Sequence, residues 1–156
     1  MPIYFYSTTG EHGCFSNFSR HGFTLDGVYW KTSEHYFQAQ KFVGTEHVER
    51  IRLAKTPNQA ALMGRDRKRP LRPDWESVKE AIMQAAVLAK FSQNEAIRAI
   101  LLGTGDEALV ENAPKDYYWG IGTNGTGKNR LGVILAAVRA ILREQEGQTQ
   151  TTEGTQ

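Results

Sequence analysis

The chain has 156 residues, of which 40% are hydrophobic and 23% charged, and its formal net charge is +2. This length favours one domain with a hydrophobic core over two domains, and so small a net charge excludes a general nucleic-acid coat, so that any anion binding has to be local. The only cysteine, Cys14, can form neither an intrachain disulfide nor a zinc site by itself. The sequence also lacks a signal-peptide pattern and an apolar run of the roughly 18 residues that span a membrane. We therefore expect a cytoplasmic protein with no membrane partner.

Short strands are predicted near the start of the chain. Residues 3–6 alternate weakly between apolar and polar side chains, as a strand does. Residues 23–25 and 28–30 flank Asp26-Gly27, a dipeptide that is typical of a two-residue hairpin turn. A later apolar segment, 108–110, is also short enough to be a strand.

Helices are predicted for most of the remaining chain. Apolar residues at helical spacing, with capping residues, prolines and glycines at their ends, indicate helices at 32–44, 45–56, 57–63, 74–91, 96–102 and 131–144. Residues 147–156 are rich in Gln, Thr and Gly and contain no apolar residue, so we expect a disordered tail after a domain that spans 1–146. The predicted fold is α+β: a compact, mainly helical single domain with a small N-terminal β-sheet or hairpin.

The helix that follows the hairpin places an acid and an amine on one face. Glu34, Phe37, Gln38 and Lys41 are spaced so that their side chains point in one direction. Charged and amide groups interleaved with rings suggest a site in which Glu34 and Lys41 contact a ligand. The common structural alternative is that Glu34 stabilises the helix dipole in the first turn and Lys41 covers apolar surface with its stem. Both interpretations remain open at this point.

A basic segment, 65–72, contains five arginine and lysine residues between two helices. Guanidinium groups form paired hydrogen bonds to phosphate, so this segment suits a phosphorylated ligand. Arg65 is the favoured contact because it follows Gly64 directly at the end of a helix. The alternative is a solvated basic loop without a ligand.

The glycine-rich stretch 116–132 is a second candidate for anion binding. Gly122 and Gly127-Lys128 have P-loop spacing, but Asn129 stands where Ser or Thr should bind magnesium, which excludes a P-loop NTPase. Glycines and a following helix terminus nevertheless favour an anion, although the stretch is also compatible with a simple turn. The candidate substrate-binding residues here are Asp116, Trp119, Gly120, Lys128 and Asn129.

Other polar and aromatic residues complete the set of candidates. Trp75 and Trp119 lie next to a cap or a turn, where a ring can form the wall of a pocket for a flat heterocycle, although either also fits a core. Lys79 shares a helical face with Trp75 and is a second candidate amine. Asn17 can bind an amide edge of a ligand or cap a turn. The four histidines have no metal-ligand spacing, and Cys14 has no evident activating base.

Several motifs occur together in a fixed order. They are SNF at 16–18, SEHYFQAQKF at 33–42, MGRDR at 63–67, WESVK at 75–79, WG at 119–120 and GKNRLG at 127–132. Together they resemble the NADAR family, and within it the bacterial riboflavin-intermediate N-glycosidases, over about residues 3–143. The resemblance implies an α+β enzyme that cleaves N-glycosidic bonds of phosphoribosylamino-pyrimidines. It also implies that Glu34 is the essential acid and that Trp75 and Trp119 are the family's tryptophans.

The predicted activity is hydrolysis of a ribosyl C1′–N bond, with no metal ion or cofactor. Glu34 would stabilise charge at C1′ and activate water, or Lys41 or Lys79 would form a Schiff base. The expected substrate is a phosphorylated ribosyl heterocycle. Two alternatives follow from the resemblance to proteins associated with NAD-derived ligands. One is removal of ADP-ribose from guanine, with nucleic acid only as substrate, and the other is a non-enzymatic module that binds NAD or ADP-ribose.

Overall fold

A computed structural model describes the backbone of residues 1–154 and the side chains of residues 1–148. In chain order its strands and α-helices are β1 (Ile3–Phe5), β2 (Phe23–Leu25), β3 (Val28–Trp30), α1 (Ser33–Gln40), α2 (His47–Arg52), α3 (Pro57–Gly64), α4 (Trp75–Gln93), α5 (Glu95–Gly103), β4 (Leu109–Glu111) and α6 (Arg130–Gly154). The predicted α+β class, mainly helical with a few short strands, is confirmed. None of the helices described is both long and apolar enough to cross a membrane.

The strands form two small sheets. β2 and β3 pair as an antiparallel hairpin, with Phe23 opposite Trp30. Their turn places Asp26 at φ 53° and Gly27 at φ 78°, the left-handed conformation that Asp-Gly adopts readily, so the predicted hairpin is confirmed. β1 instead pairs in parallel with β4, a strand more than a hundred residues further along the chain. This pairing brings the chain around β4 to the N-terminal strand.

Helix α1 lies in the middle of the molecule. Residues 33–39 are all buried, and α1 packs against α2, α3 and α4. Phe37 belongs to one hydrophobic cluster with residues of α4 and α6, while Tyr36 and Ala39 belong to a second cluster with the hairpin and α2. A helix buried on all sides is expected to be apolar throughout, yet this one also buries Glu34 and Gln38. Those polar groups therefore need a local reason.

At two helix ends the structure differs from what local sequence alone suggests. Asp74 occupies the N-cap position of α4 but makes no capping bond, because its carboxylate accepts from Arg72 Nε at 2.6 Å. Helix α6 continues to Gly154, through most of the segment that we expected to be disordered. Each added residue of a formed helix gains a backbone hydrogen bond, so a helix can extend beyond its apolar stripe. Residues 155–156 of the expected tail lie outside the described residues.

Candidate active site

One cavity of about 940 Å³ opens beside α1. It collects side chains from separate parts of the chain: the segment after β1, the turn before the hairpin, α1, α3, α4 and the loop after β4. The predicted site residues that line it are Asn17, Glu34, Lys41, Arg65, Asp116 and Trp119. Residues more than a hundred positions apart in the sequence, such as Asn17 and Trp119, thus meet at one opening.

Glu34 reaches this cavity from the first turn of α1 and is only 6% exposed. Its Oε1 accepts from Gln38 Nε2 at 2.8 Å, and its backbone N–H donates to the Asn17 carbonyl at 3.2 Å. Burial raises the pKa of this carboxyl above its ordinary value, while the Gln38 hydrogen bond and the charges of Arg65 and Lys41 oppose the increase. Glu34 therefore keeps its proton to a higher pH than an exposed glutamate, and these neighbours are what favour its charged form.

The structural interpretation of the same turn also holds, because Thr32 caps the helix. Its Oγ1 accepts from the His35 backbone N–H at 3.1 Å and lies 2.7 Å from His35 Nδ1. The N-terminus of α1 thus has a capping group, and Glu34 is free to point into the cavity. Glu34 lies near the positive end of the helix dipole without being the cap.

Lys41 lies at the other end of α1, also on the cavity. Its Nζ donates to the Gly64 carbonyl at 3.3 Å and is 5.8 and 5.7 Å from the ring centroids of Phe37 and Trp75. Burial lowers the pKa of this amine, Glu34 opposes the decrease, and Arg65 adds to it. An amine with a lowered pKa has a larger neutral, nucleophilic fraction than an exposed lysine.

Aromatic rings line one side of the cavity. Phe37 packs edge-on against Trp119 at 5.3 Å between centroids and lies tilted against Trp75 at 5.0 Å. Phe37 and Trp119 line the cavity, whereas Trp75 is 6% exposed and lies behind Phe37. The geometry therefore gives Trp119 the position of a pocket wall and Trp75 that of a support.

Asn17 and Asp116 are held by local hydrogen bonds. Asn17 Oδ1 accepts from Ser33 Oγ at 2.7 Å, and its Nδ2 lies 3.4 Å from Met83 Sδ. Asp116 Oδ1 accepts from the backbone N–H groups of Tyr118 and Trp119, at 3.0 and 2.8 Å. Asp116 thus shapes the loop that presents Trp119.

Four other predicted site residues do not line the cavity, and each has a structural contact. Lys79 Nζ pairs with Glu76 at 2.5 Å and lies 3.9 Å from the Tyr118 ring centroid. Lys128 Nζ lies 5.7 Å from the same centroid. The backbone carbonyl of Gly120 accepts from the Asn129 N–H at 3.0 Å.

The side chain of Asn129 holds the glycine-rich stretch against strand β4. Its Oδ1 accepts from the Glu111 N–H and its Nδ2 donates to the Leu109 carbonyl, both at 2.9 Å. The amide therefore joins β4 to the start of α6, and Asn129 does not line the cavity. The Asn129 side chain thus has a structural contact that sequence spacing does not reveal.

The structure adds Glu111 to the cavity, a residue that the sequence analysis did not select. It is the last residue of β4, and its Oε2 is buried without a hydrogen-bond partner among the described residues. Burial, followed by the charges of Asp116 and Glu34, raises its pKa to about 8. The available signal was an acid directly after the predicted strand 108–110. The strand that pairs with this segment and the charged neighbour Glu34 come from distant sequence. Within residues 1–148, no three His, Cys, Asp or Glu side chains are arranged to hold a metal ion.

Comparisons with known proteins agree on one family. The NADAR domain matches residues 4–143. Over 146 residues the chain is 51% identical to an N-glycosidase of Nostoc punctiforme, covering 92% of this chain and 94% of that protein. Over 140 residues it is 53% identical to the N-glycosidase YbiA of Escherichia coli, covering 90% and 88% of the two chains.

A solved structure and a longer protein extend this picture. The NMR structure of E. coli YbiA superposes with a TM-score of 0.86 at 51% identity, covering 92% of this chain and 86% of that one. A riboflavin biosynthesis protein of Vibrio vulnificus is 41% identical over 144 residues, which are 92% of this chain but only 39% of that protein. The resemblance stated from the motifs is confirmed by these matches.

Proposed function

Because the chain belongs to the NADAR family, we propose that it is an N-glycosidase that hydrolyses the ribosyl C1′–N bond of phosphoribosylamino-pyrimidine intermediates of riboflavin biosynthesis. The names of the relatives support both parts of this proposal: two are N-glycosidases and one is a riboflavin biosynthesis protein. The observation that carries it is Glu34, a carboxylate that is 6% exposed, faces an open cavity and contacts an amide donor rather than a cation.

The chemistry of the bond explains why such a carboxylate is useful. Breaking C1′–N develops positive charge on C1′ and the ring oxygen, which an adjacent anion in a desolvated site stabilises. The same carboxylate can accept a proton from the water that attacks C1′. Gln38 fixes Glu34 Oε1, so the carboxylate is oriented before the substrate arrives. Glu34 therefore has a role both before and after the bond breaks.

Other lining residues match the remaining parts of the substrate. Trp119 and Phe37 offer ring surface to a flat pyrimidine, and Asn17 lines the same cavity. Arg65 lies exposed where α3 ends, next to the Gly64 carbonyl that binds Lys41, and suits a 5′-phosphate. The proposed phosphate contact does not include Lys128 or Asn129, because neither residue lines the cavity.

One observation favours a second substrate, guanine that carries ADP-ribose in nucleic acid. Arg67 and Lys68 are exposed two and three residues after Arg65, whereas Arg69 and Arg72 are paired with Asp66 and Asp74. Two exposed cations next to a cavity residue can follow a phosphate backbone. This function would use the same Glu34 chemistry on a larger leaving group, so the two candidates differ in substrate and not in mechanism.

A panel of three substrates tests these proposals. Wild type, Glu34→Gln and Glu46→Gln would be assayed with an aminouracil ribosyl phosphate, an ADP-ribosylated guanine oligonucleotide and NAD. Glu46 is a matched control because it is an exposed acid paired with Arg50. We expect release of the aminouracil by wild type and Glu46→Gln, and a loss of roughly 10²- to 10⁴-fold in Glu34→Gln. Turnover that survives Glu34→Gln would overturn the role of this acid, and binding without any turnover would indicate the non-enzymatic module.

A further inference from the structure

Glu111 is held on the cavity by contacts on both sides of its backbone. It pairs with Phe5 across the parallel strands, its N–H donates to Asn129 Oδ1 at 2.9 Å, and its carbonyl accepts from the Ile121 N–H at 3.0 Å. The side chain is thereby directed from a fixed backbone into the cavity that Glu34 also lines. Its Oε2 is buried and has no hydrogen-bond partner among residues 1–148. Such an atom is expected to meet a partner that the protein itself does not provide.

Three carboxyl groups line the cavity, and they differ in the hydrogen-bond donors and charges beside them. Glu34 has an amide donor and the positive charges of Arg65 and Lys41, and Asp116 Oδ1 accepts two backbone N–H groups. Glu111 has neither kind of support: burial, Asp116 and Glu34 all raise its pKa, to about 8. The cavity's other cation, Lys115, is exposed to solvent. Burial and both neighbouring acids therefore favour the protonated form of Glu111, the carboxyl that has a buried oxygen without a hydrogen-bond partner among residues 1–148.

We propose that Glu111 is a further catalytic residue of this site, the general acid whose carboxyl donates its proton to the nitrogen that leaves C1′. This inference rests on the proposed N-glycosidase function and deepens it. The C1′–N bond breaks, its electron pair stays on nitrogen, and the Glu111 proton joins that nitrogen to give the free amine. Water then bonds to C1′ and gives a proton to Glu34. Glu111 regains a proton from solvent and Glu34 releases one, so the enzyme is restored.

The choice of leaving group tests this assignment. Glu111→Gln keeps the size and neutrality of the protonated acid but cannot donate its proton to the leaving nitrogen. We expect this variant to lose roughly 10²- to 10⁴-fold in kcat with the aminouracil ribosyl phosphate. With 4-nitrophenyl riboside 5-phosphate, whose leaving group needs no proton, we expect a loss of less than about tenfold. Glu144→Gln, which changes an exposed acid of α6, is the control and should match wild type with both substrates.

The pH dependence of kcat and a direct titration of the Glu111 carboxyl test the general-acid role in two further ways. Wild-type kcat should fall above about pH 8 as Glu111 loses its proton, and this limb should be absent in Glu111→Gln. Equal losses with both substrates, or an unchanged high-pH limb, would overturn the inference. If wild type cleaves neither substrate, the proposed function fails. Carboxyl ¹³C NMR of the free protein, with Glu111 assigned from the variant, then decides separately: a midpoint near the usual 4.5 overturns the general acid.

Discussion

At the scale of single residues, the two candidate lysines differ in surroundings although each lies four residues after an aromatic residue. Lys41 lines the cavity, contacts a backbone carbonyl and has a lowered pKa because of burial. Lys79 pairs with Glu76 and does not line the cavity. Only Lys41 therefore has the position that a Schiff-base route requires, in which its Nζ replaces the amine on C1′ and water later hydrolyses the imine.

This difference predicts the result of a trapping experiment. If the lysine route operates, borohydride added during turnover should leave a ribosyl adduct on Lys41 and none on Lys79, as peptide mapping by mass spectrometry would detect. Lys41→Arg should abolish the adduct, while Lys79→Arg should leave it in place. An adduct on Lys79 would contradict the geometry, and no adduct on either residue would leave the water route through Glu34.

At the scale of elements, the site depends on how closely α3 approaches α1. A Cβ added at Gly64 would lie 2.0 Å from Gln38 Oε1 and 2.7 Å from Gln38 Cβ. The glycine at the end of α3 therefore gives Gln38 the space from which it orients Glu34. Gly103 offers a matched comparison, because it also ends a helix but an added Cβ there meets nothing within 4 Å.

Substituting alanine at these two glycines should therefore have opposite effects. Gly64→Ala is expected to displace Gln38, to lower the free energy of unfolding by about 1–3 kcal/mol and to lower kcat/KM by roughly 10- to 100-fold. Gly103→Ala is expected to retain activity and to gain about 0.5–1 kcal/mol, because alanine loses less backbone freedom in a helix. Urea denaturation and steady-state kinetics would measure both effects. Equal behaviour of the two variants would refute the importance of this close approach.

The elements themselves were largely predictable from local sequence, whereas their contacts were not. The hairpin follows from Asp26-Gly27, and α1 begins where Thr32 caps it. The role of Asn129 depends on β4, which lies about twenty residues earlier, so loop composition suggested an anion site where the amide binds backbone. Glu111 was missed for the same reason: its Oε2, which has no hydrogen-bond partner among residues 1–148, is placed on the cavity only when β1 and β4 pair.

At the scale of the whole molecule, burial of ionisable groups couples folding to pH. Glu111 binds a proton in the folded protein up to about pH 8, while its ordinary pKa is 4.5. Between these values the folded state binds more protons than the unfolded state, so stability falls as pH rises. Lys90 acts in the opposite direction, because burial lowers its pKa from 10.5 to about 7 and its unfolded form binds more protons above that pH. A plot of the wild-type free energy of unfolding against pH therefore contains the contributions of both Glu111 and Lys90.

The contribution of Glu111 is isolated by comparing the stability of Glu111→Gln with that of wild type. The free energy of unfolding of Glu111→Gln, relative to wild type, should rise between about pH 5 and pH 8, by up to about 1.4 kcal/mol per pH unit, and level off at higher pH. Lys90 is present in both proteins and cancels in the difference. Urea denaturation at a series of pH values would measure it, with the exposed-acid variant Glu144→Gln expected to stay parallel to wild type. A flat difference for Glu111→Gln would mean that Glu111 ionises in the folded protein as it does in the unfolded chain, because only a proton retained on folding can produce the slope.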